Sequence, residues 1–229
     1  MIMVAELLIP FLTLLIYGTG ASFPGWSIYE MLLLQGIFML SRGVAGLLFF
    51  GVVWNTLDRV REGTYDLLLI KPRSVLFLAV ATGFEPDSIG TIAGGLMVMG
   101  FSLRNLTAPG MWEWLEFLVL FLFSVMVLFS FALFMAGSVF KWVGNSRVYE
   151  IFDSTTAFGN YPRSIFSRWF QAIISYILPL AAIGFFPAAV LLGKPTDGIF
   201  ATMFVCLVFV GLSLAFWRWM LSKYTSAGG

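Results

Sequence analysis

A chain of 229 residues that is 60% hydrophobic, 11% charged and of mean hydropathy +0.95 has lipid as the solvent of most of its surface, which excludes a soluble domain with a single core. Its net charge of +1 says nothing about nucleic acid or acidic partners, because in such a chain the placement of the basic residues is informative and their sum is not. No histidine and one cysteine, Cys206, leave no basis for HExxH sites, Ser/His triads, CxxC centres or a disulfide framework, so neither catalytic residues nor a metal site are expected.

Met1 to Tyr17 is apolar except for Glu6. At 1.5 Å per residue this run reaches about 25 Å, slightly short of the ~30 Å hydrocarbon core, and the first span looks clipped at its start. No basic residues precede it, which argues against a signal peptide. Trp26 and Tyr29 mark an interface, and Ile28 to Trp54 is long enough for a tilted second helix. Asp58 to Arg73 then gathers Asp58, Arg59, Arg61, Glu62, Asp66, Lys71 and Arg73. At mid-depth in hydrocarbon each such charge costs on the order of 3 kcal/mol, so this island faces water.

Ser74 to Thr82 is apolar but too short to span. Pro86 and Asp87 read as a helix start, which places the third span at about Ser88 to Leu103. That span carries Gly90, Gly94, Gly95 and Gly100, and the Gly90/Gly94 spacing allows close helix approach. Trp112 to Trp142 is an over-long fourth span. Gly144 to Arg168 is a second polar segment, with Arg147, Glu150, Asp153, Arg163 and Arg168. Phe170 to Leu192 is apolar but contains Pro179 and Pro187, each of which removes a backbone donor and clashes with the preceding turn. The expectation is a fifth span that ends near Pro179, with Leu180 to Leu192 turning back as a re-entrant element in the outer leaflet, where protein or water covers the freed carbonyls. Ile199 to Leu221 is the last span.

The predicted fold is therefore all-α, a polytopic membrane protein with six transmembrane helices, the fifth proline-broken. Under this arrangement Arg59, Arg61, Lys71, Arg73, Lys141, Arg147, Arg163, Arg168, Arg218 and Lys223 share one side, against Arg104 and Lys194 on the other. Ten against two places both termini and both polar segments in the cytoplasm. The remaining basic residue, Arg42, falls inside span two. It reads either as a contact for an anionic substrate or lipid head group, or as the partner of a carboxylate such as Glu6 on a neighbouring helix.

Three separated motifs carry a family resemblance. RVREGTYDLLLIKP supplies Val60, Gly63, Asp66, Leu69 and Pro72. Tyr161 and Pro162 form a pair, and a proline-broken helix follows with Pro179, Pro187 and Ala188. In this order, from about Gly25 to Lys194, the chain resembles the ABC-2 type permeases, in a subgroup formerly listed as a domain of unknown function. Members usually carry a basic amphipathic segment before the first span, whereas Met1 opens inside it.

The resemblance implies the permease half of an ATP-driven exporter in a bacterial cytoplasmic membrane, forming a single transmembrane domain over 1–229. It would pair with a second, identical or related permease, contact membrane lipid and seat on separate ABC ATPase subunits. The chain itself would hold no cofactor, ATP and Mg belonging to the ATPase. No GxxxxGK[ST] stands in the sequence, and its nearest decoy, Ala188 to Thr196, lacks the first glycine and has Pro195 in the Ser/Thr position. On this reading residues 55–75 form an ATPase-coupling loop: Arg59, Arg61 and Glu62 give a polar docking face, Gly63 a bend, Asp66, Lys71, Pro72 and Arg73 the family pattern and its basic end. Residues 143–168 form a second cytosolic segment. Pro179, Phe185, Phe186 and Pro187 would lie at an outer gate beside the partner permease.

Two other classes remain open. A lipid-modifying membrane enzyme would need an interfacial catalytic cluster, for which Glu85 and Asp87 are the nearest pair. A secondary transporter or channel would show an internal repeat or intramembrane ion ligands.

Overall fold

The computed structural model describes residues 2–141 and 147–225. The end of the expected fourth span and the start of the second polar segment, residues 142–146, lie outside them. The described residues are mainly helical, with no strand among them. Three helices are long and apolar enough to cross a membrane, or up to five if each of two bent pairs counts as one span.

The central element is a continuous helix, Ile28–Arg61, of 34 residues. It comprises α2 (Ile28–Ala45), a π-helical turn (Gly46–Phe50) and α3 (Gly51–Arg61). Its start is fixed by a capping box, in which the Ser27 hydroxyl accepts from the Glu30 N–H while the Glu30 carboxylate accepts from the Ser27 N–H. At about 50 Å it outruns the hydrocarbon thickness, so its lower turns carry the charged island out of the apolar layer. α1 (Ile2–Gly18) lies against its upper half.

α6 (Ile89–Arg104) runs antiparallel to α2 in the closest helix pairing of the molecule. A Cβ added at Gly36 would lie 2.8 Å from the backbone nitrogen of Met99, and one at Gly95 would lie 2.7 Å from that of Leu40. The close approach on α6 thus runs through Gly95, one residue beyond the Gly90/Gly94 spacing, and meets glycines on α2 that the sequence pattern did not single out. Gly36→Ala is expected to push the pair apart and destabilise the protein by about 1–3 kcal/mol. A thermal midpoint in detergent equal to wild type would contradict this.

α5 (Val75–Ala81) joins α6 through a bend of 57°. At the bend the Gly51 N–H donates to the Gly83 carbonyl at 3.2 Å, across a backbone approach that only glycines on both sides allow. α7 (Met111–Val139) and α11 (Ile199–Leu221) pack side by side in the same direction, through Phe131 and Phe134 on Phe209 and Phe140 on Trp217.

Two ends of the bundle are thereby defined. At one, Lys194 pairs with Glu30 at 3.0 Å and covers Trp26. At the other, Tyr65 packs between Phe140 and Tyr224.

The second polar segment corrects the expected topology. α8 (Arg147–Thr156) starts beyond the Phe140 end of α7 and climbs back into the bundle. Phe152 meets Phe50 and Phe131, Gly159 packs against Phe38, Tyr161 meets Phe23, and Ser164 accepts from the Trp26 indole at 3.1 Å. Residues 147–160 therefore make the passage between the two ends that was expected of Phe170 to Leu192. The two polar islands do not share a face. Moving Arg163 and Arg168 to the Lys194 end turns ten against two into eight against four. Hydropathy misses α8 because polar residues such as Glu150, Asp153 and Ser154 interrupt its apolar ones; its passage is possible because Phe152, Thr156 and Asn160 are buried and Asp153 is paired.

The apolar stretch that follows is a hairpin. α9 (Arg168–Ala172) continues through a π-helical turn (Ile173–Ile177), and a 77° bend separates it from the segment Leu180–Leu191, which contains α10 (Phe185–Leu191). Gln171 and Lys194 border one cavity at the Trp26 end, so both limbs return to the same end. The break falls at Pro179, with Leu178 extended ahead of it as a residue before proline prefers. Serines on neighbouring helices cover the freed carbonyls. Ser124 donates to Ala182 at 2.7 Å and Ser41 reaches Ile183 at 3.5 Å. Pro187 breaks nothing, because it stands in the first turn of α10, where its missing N–H would have had no helical partner.

Candidate functional site

The charged island folds as a clip at the end of α3. Gly63 turns the chain with φ +68°, a left-handed conformation that favours glycine. The short α4 (Asp66–Leu69) follows. Arg61, Glu62, Lys71, Pro72 and Arg73 are exposed, and Arg59, Gly63 and Asp66 are half-buried. Beside them Leu67 is 56% and Ile70 79% exposed. With Leu69 at 43%, three bare apolar side chains among basic ones make a surface with both adhesive and steering parts.

The sequence did not single out what holds the clip. Tyr65 and Leu68, at i and i+3, are fully buried. The Tyr65 ring lies 5.0 Å from Phe140 at the end of α7 and 5.4 Å from Tyr224 just past α11. Phe140 in turn contacts Trp217 at 5.3 Å. Burial, with Tyr224 alongside, pushes the Tyr65 phenol upward from its ordinary range, so it stays neutral. Its hydroxyl has no hydrogen-bond partner among the described residues. The ring, not the OH, does the anchoring. The available signal was alternation within a charged run: Val60, Tyr65 and Leu68 are the residues of the island that turn inward.

The second constellation is at mid-bundle. The Arg42 Nε sits 3.3 Å from Glu6 Oε1 on α1, and its Nη2 2.7 Å from Asp153 Oδ1 on α8. The guanidinium also lies 6.0 Å from the centroid of the Phe38 ring. The Glu6 pair is one of the two readings of Arg42 that the sequence left open; Asp153 was not foreseen, because the crossing of α8 was not. One cation thus ties three helices together. Arg42 and Glu6 are mostly covered, while the Asp153 side chain is 46% exposed. Next to it on α8, Glu150, Ile151 and Ser154 are exposed. A polar strip at this depth facing hydrocarbon would be strongly disfavoured, so it faces water or protein.

The third group, Pro179, Phe185, Phe186 and Pro187, is not at the surface of the subunit. Phe185 is 6% and Phe186 1% exposed, packed against Trp26 and under the Arg163 guanidinium, which lies 5.3 Å from each ring centroid. The α10 limb of the hairpin is enclosed by this chain's own α2 and α7, while the α9 limb keeps Trp169 75% and Ile177 64% exposed. Apolar segments in a bundle are drawn to its centre when neighbouring helices can satisfy their broken backbone, as Ser41 and Ser124 do here.

With this geometry in hand, comparison with known proteins gives one match: residues 1–228 fit the family described as ABC-2 family transporter protein. No curated protein matches the chain, and no solved structure does.

Proposed function

The chain belongs to the ABC-2 family of transporters, which makes it a membrane permease component of an ABC transporter, and from that premise we propose that it is the permease half of an exporter driven by a separate ATPase. The observation that carries the coupling role is the clip at the end of α3, which presents Arg61, Glu62, Leu67, Ile70, Lys71 and Arg73 outward while Tyr65 ties it to the ends of α7 and α11. A rocking motion of the ATPase at this surface has a rigid lever into the two long helices. Eight basic residues at this end against four at the other support a cytoplasmic clip in a bacterial inner membrane. The polar strip of α8, with Asp153 and Ser154, supports a wet face turned toward a second permease subunit, with the transport path between the two.

The deciding experiment has two arms. The purified chain alone is expected to hydrolyse no ATP, and the cognate ATPase is expected to copurify with it. Deleting Arg59 to Asp66, or exchanging Arg61 and Glu62, should weaken that association without changing membrane insertion. Robust ATP hydrolysis by the isolated chain would sink the assignment, and so would full association after the deletion.

A further inference from the structure

At the end of the bundle opposite the clip, a cavity of about 350 Å³ opens between the loop before α2, the residues that follow α8 and the loop between α10 and α11. Trp26 and Phe185 line it with rings, and Arg163, Ser164, Lys194 and Asp197 with polar groups. Its two cations are held in different ways. Lys194 is satisfied: its Nζ donates to the Gly25 carbonyl at 2.7 Å and to Glu30 at 3.0 Å. The Arg163 side chain makes neither a hydrogen bond nor a salt bridge among the described residues. It is held by the Phe185 and Phe186 rings, whose centroids each lie 5.3 Å from the guanidinium carbon.

A ring face attracts a cation through its quadrupole and takes up none of its hydrogens. All five N–H donors of the guanidinium therefore remain unspent. They are also open, because Arg163 is half-buried and none of its nitrogens is among the sealed polar atoms left without a partner. Beside it, Ser164 Oγ accepts from the Trp26 indole at 3.1 Å, so the hydroxyl's own hydrogen is turned elsewhere and reaches no acceptor among the described residues. Two residues adjacent in sequence thus present donors to one cavity, from a 3₁₀ turn (Arg163–Ile165) that Pro162 leads into. The carboxylate that could have answered them, Asp197, is exposed and forms no salt bridge with Arg163 or Lys194. What these donors lack is an acceptor with one negative charge and two oxygens side by side.

We propose that this cavity binds a phosphodiester, whose two free oxygens accept from the Arg163 guanidinium while the Ser164 hydroxyl donates to one of them. The planar fork of an arginine matches two oxygens of one phosphate, and the rings of Trp26 and Phe185 pack against the ester substituents. A single charge fits the site better than a double one. Glu30 already balances Lys194, and the exposed Asp197 repels a second negative charge. The diester comes from the head group of a phospholipid or from a soluble compound. The proposal goes beyond the permease reading and draws on neither the ATPase nor transport.

The test uses the full chain in dodecyl maltoside, a detergent with neither phosphate nor charge, titrated at constant ionic strength with sodium dimethyl phosphate and, as the neutral counterpart, trimethyl phosphate. Thermal midpoint and tryptophan fluorescence are read. A saturable response to dimethyl phosphate alone is expected, weakened tenfold or more in Arg163→Gln and strengthened several-fold in Asp197→Asn, which removes the repelling charge. No saturable response, an equal response to trimethyl phosphate, or undiminished binding in Arg163→Gln overturns the proposal, Arg163 then being held by rings and water only. Should Arg163→Gln fail to fold, Asp197→Asn at its exposed position decides alone, and an affinity no higher than that of the unaltered chain overturns the proposal. Transfer to nanodiscs of phosphatidylglycerol separates the sources: loss of the response assigns the cavity to a lipid head group, and its retention to a soluble diester. Because no ATPase enters the measurement, its failure leaves the transporter assignment standing, and failure of ATPase copurification leaves the binding result standing.

Discussion

Arg42→Ala should lower the stability of the detergent-solubilised chain by about 3 kcal/mol, the low end of what removing one partner of a buried ion pair costs. The low end applies because the Asp153 side chain is 46% exposed and water screens part of the loss. The substitution strands two carboxylates, Glu6 and Asp153, at a depth where neither has another cation within salt-bridge distance among the described residues. Glu6→Gln should cost less, about 1 kcal/mol, because Asp153 remains to hold the guanidinium; an isolated pair would give similar effects for both partners, and the third member of the cluster breaks that symmetry. Arg42→Ala combined with Glu6→Gln and Asp153→Asn should recover much of the loss, since the stranded charges are then gone. Chemical or thermal unfolding of the three variants beside the unaltered chain measures this. A triple variant no more stable than Arg42→Ala would show that the arginine acts by packing on Phe38 and not by charge.

Tyr65→Ala should be the most damaging single change in the clip, removing about 3–5 kcal/mol of aromatic burial where α4 meets the ends of α7 and α11. Tyr65→Phe should be nearly neutral, because the lost hydroxyl has no hydrogen-bond partner and its removal relieves a buried polar group. The functional signature separates anchoring from docking. Tyr65→Ala should retain association with the ATPase, whose surface of Arg61, Ile70 and Lys71 is untouched, while ATP hydrolysis no longer drives transport in proteoliposomes. Association lost in parallel with transport would mean that the clip merely unfolds. A Tyr65→Phe variant as defective as Tyr65→Ala would assign the role to the hydroxyl.

Composition, periodicity and the placement of charge were enough to determine that the chain is an all-helical membrane protein, where its long helices lie, that Asp58 to Arg73 is a solvated island turning at Gly63, that Pro179 ends a helix, and that Arg42 falls within a span, where a bare charge is costly. Each of these is a local cost: a charge in hydrocarbon, a missing donor, a residue at positive φ. Costs of that kind are legible one residue at a time. Tertiary structure alone decided which segment crosses. Phe170 to Leu192 is the more apolar, yet it folds as a hairpin inside the bundle, because Ser124 and Ser41 satisfy its broken backbone from helices 58 and 142 residues away in sequence. The polar α8 passes between the ends instead, because Arg42 neutralises Asp153 and the bundle buries Phe152. Hydropathy assigns each residue the solvent it would choose by itself, whereas in a packed bundle the neighbouring helices are the solvent, and their serines, arginine and rings come from parts of the chain that no window along the sequence spans.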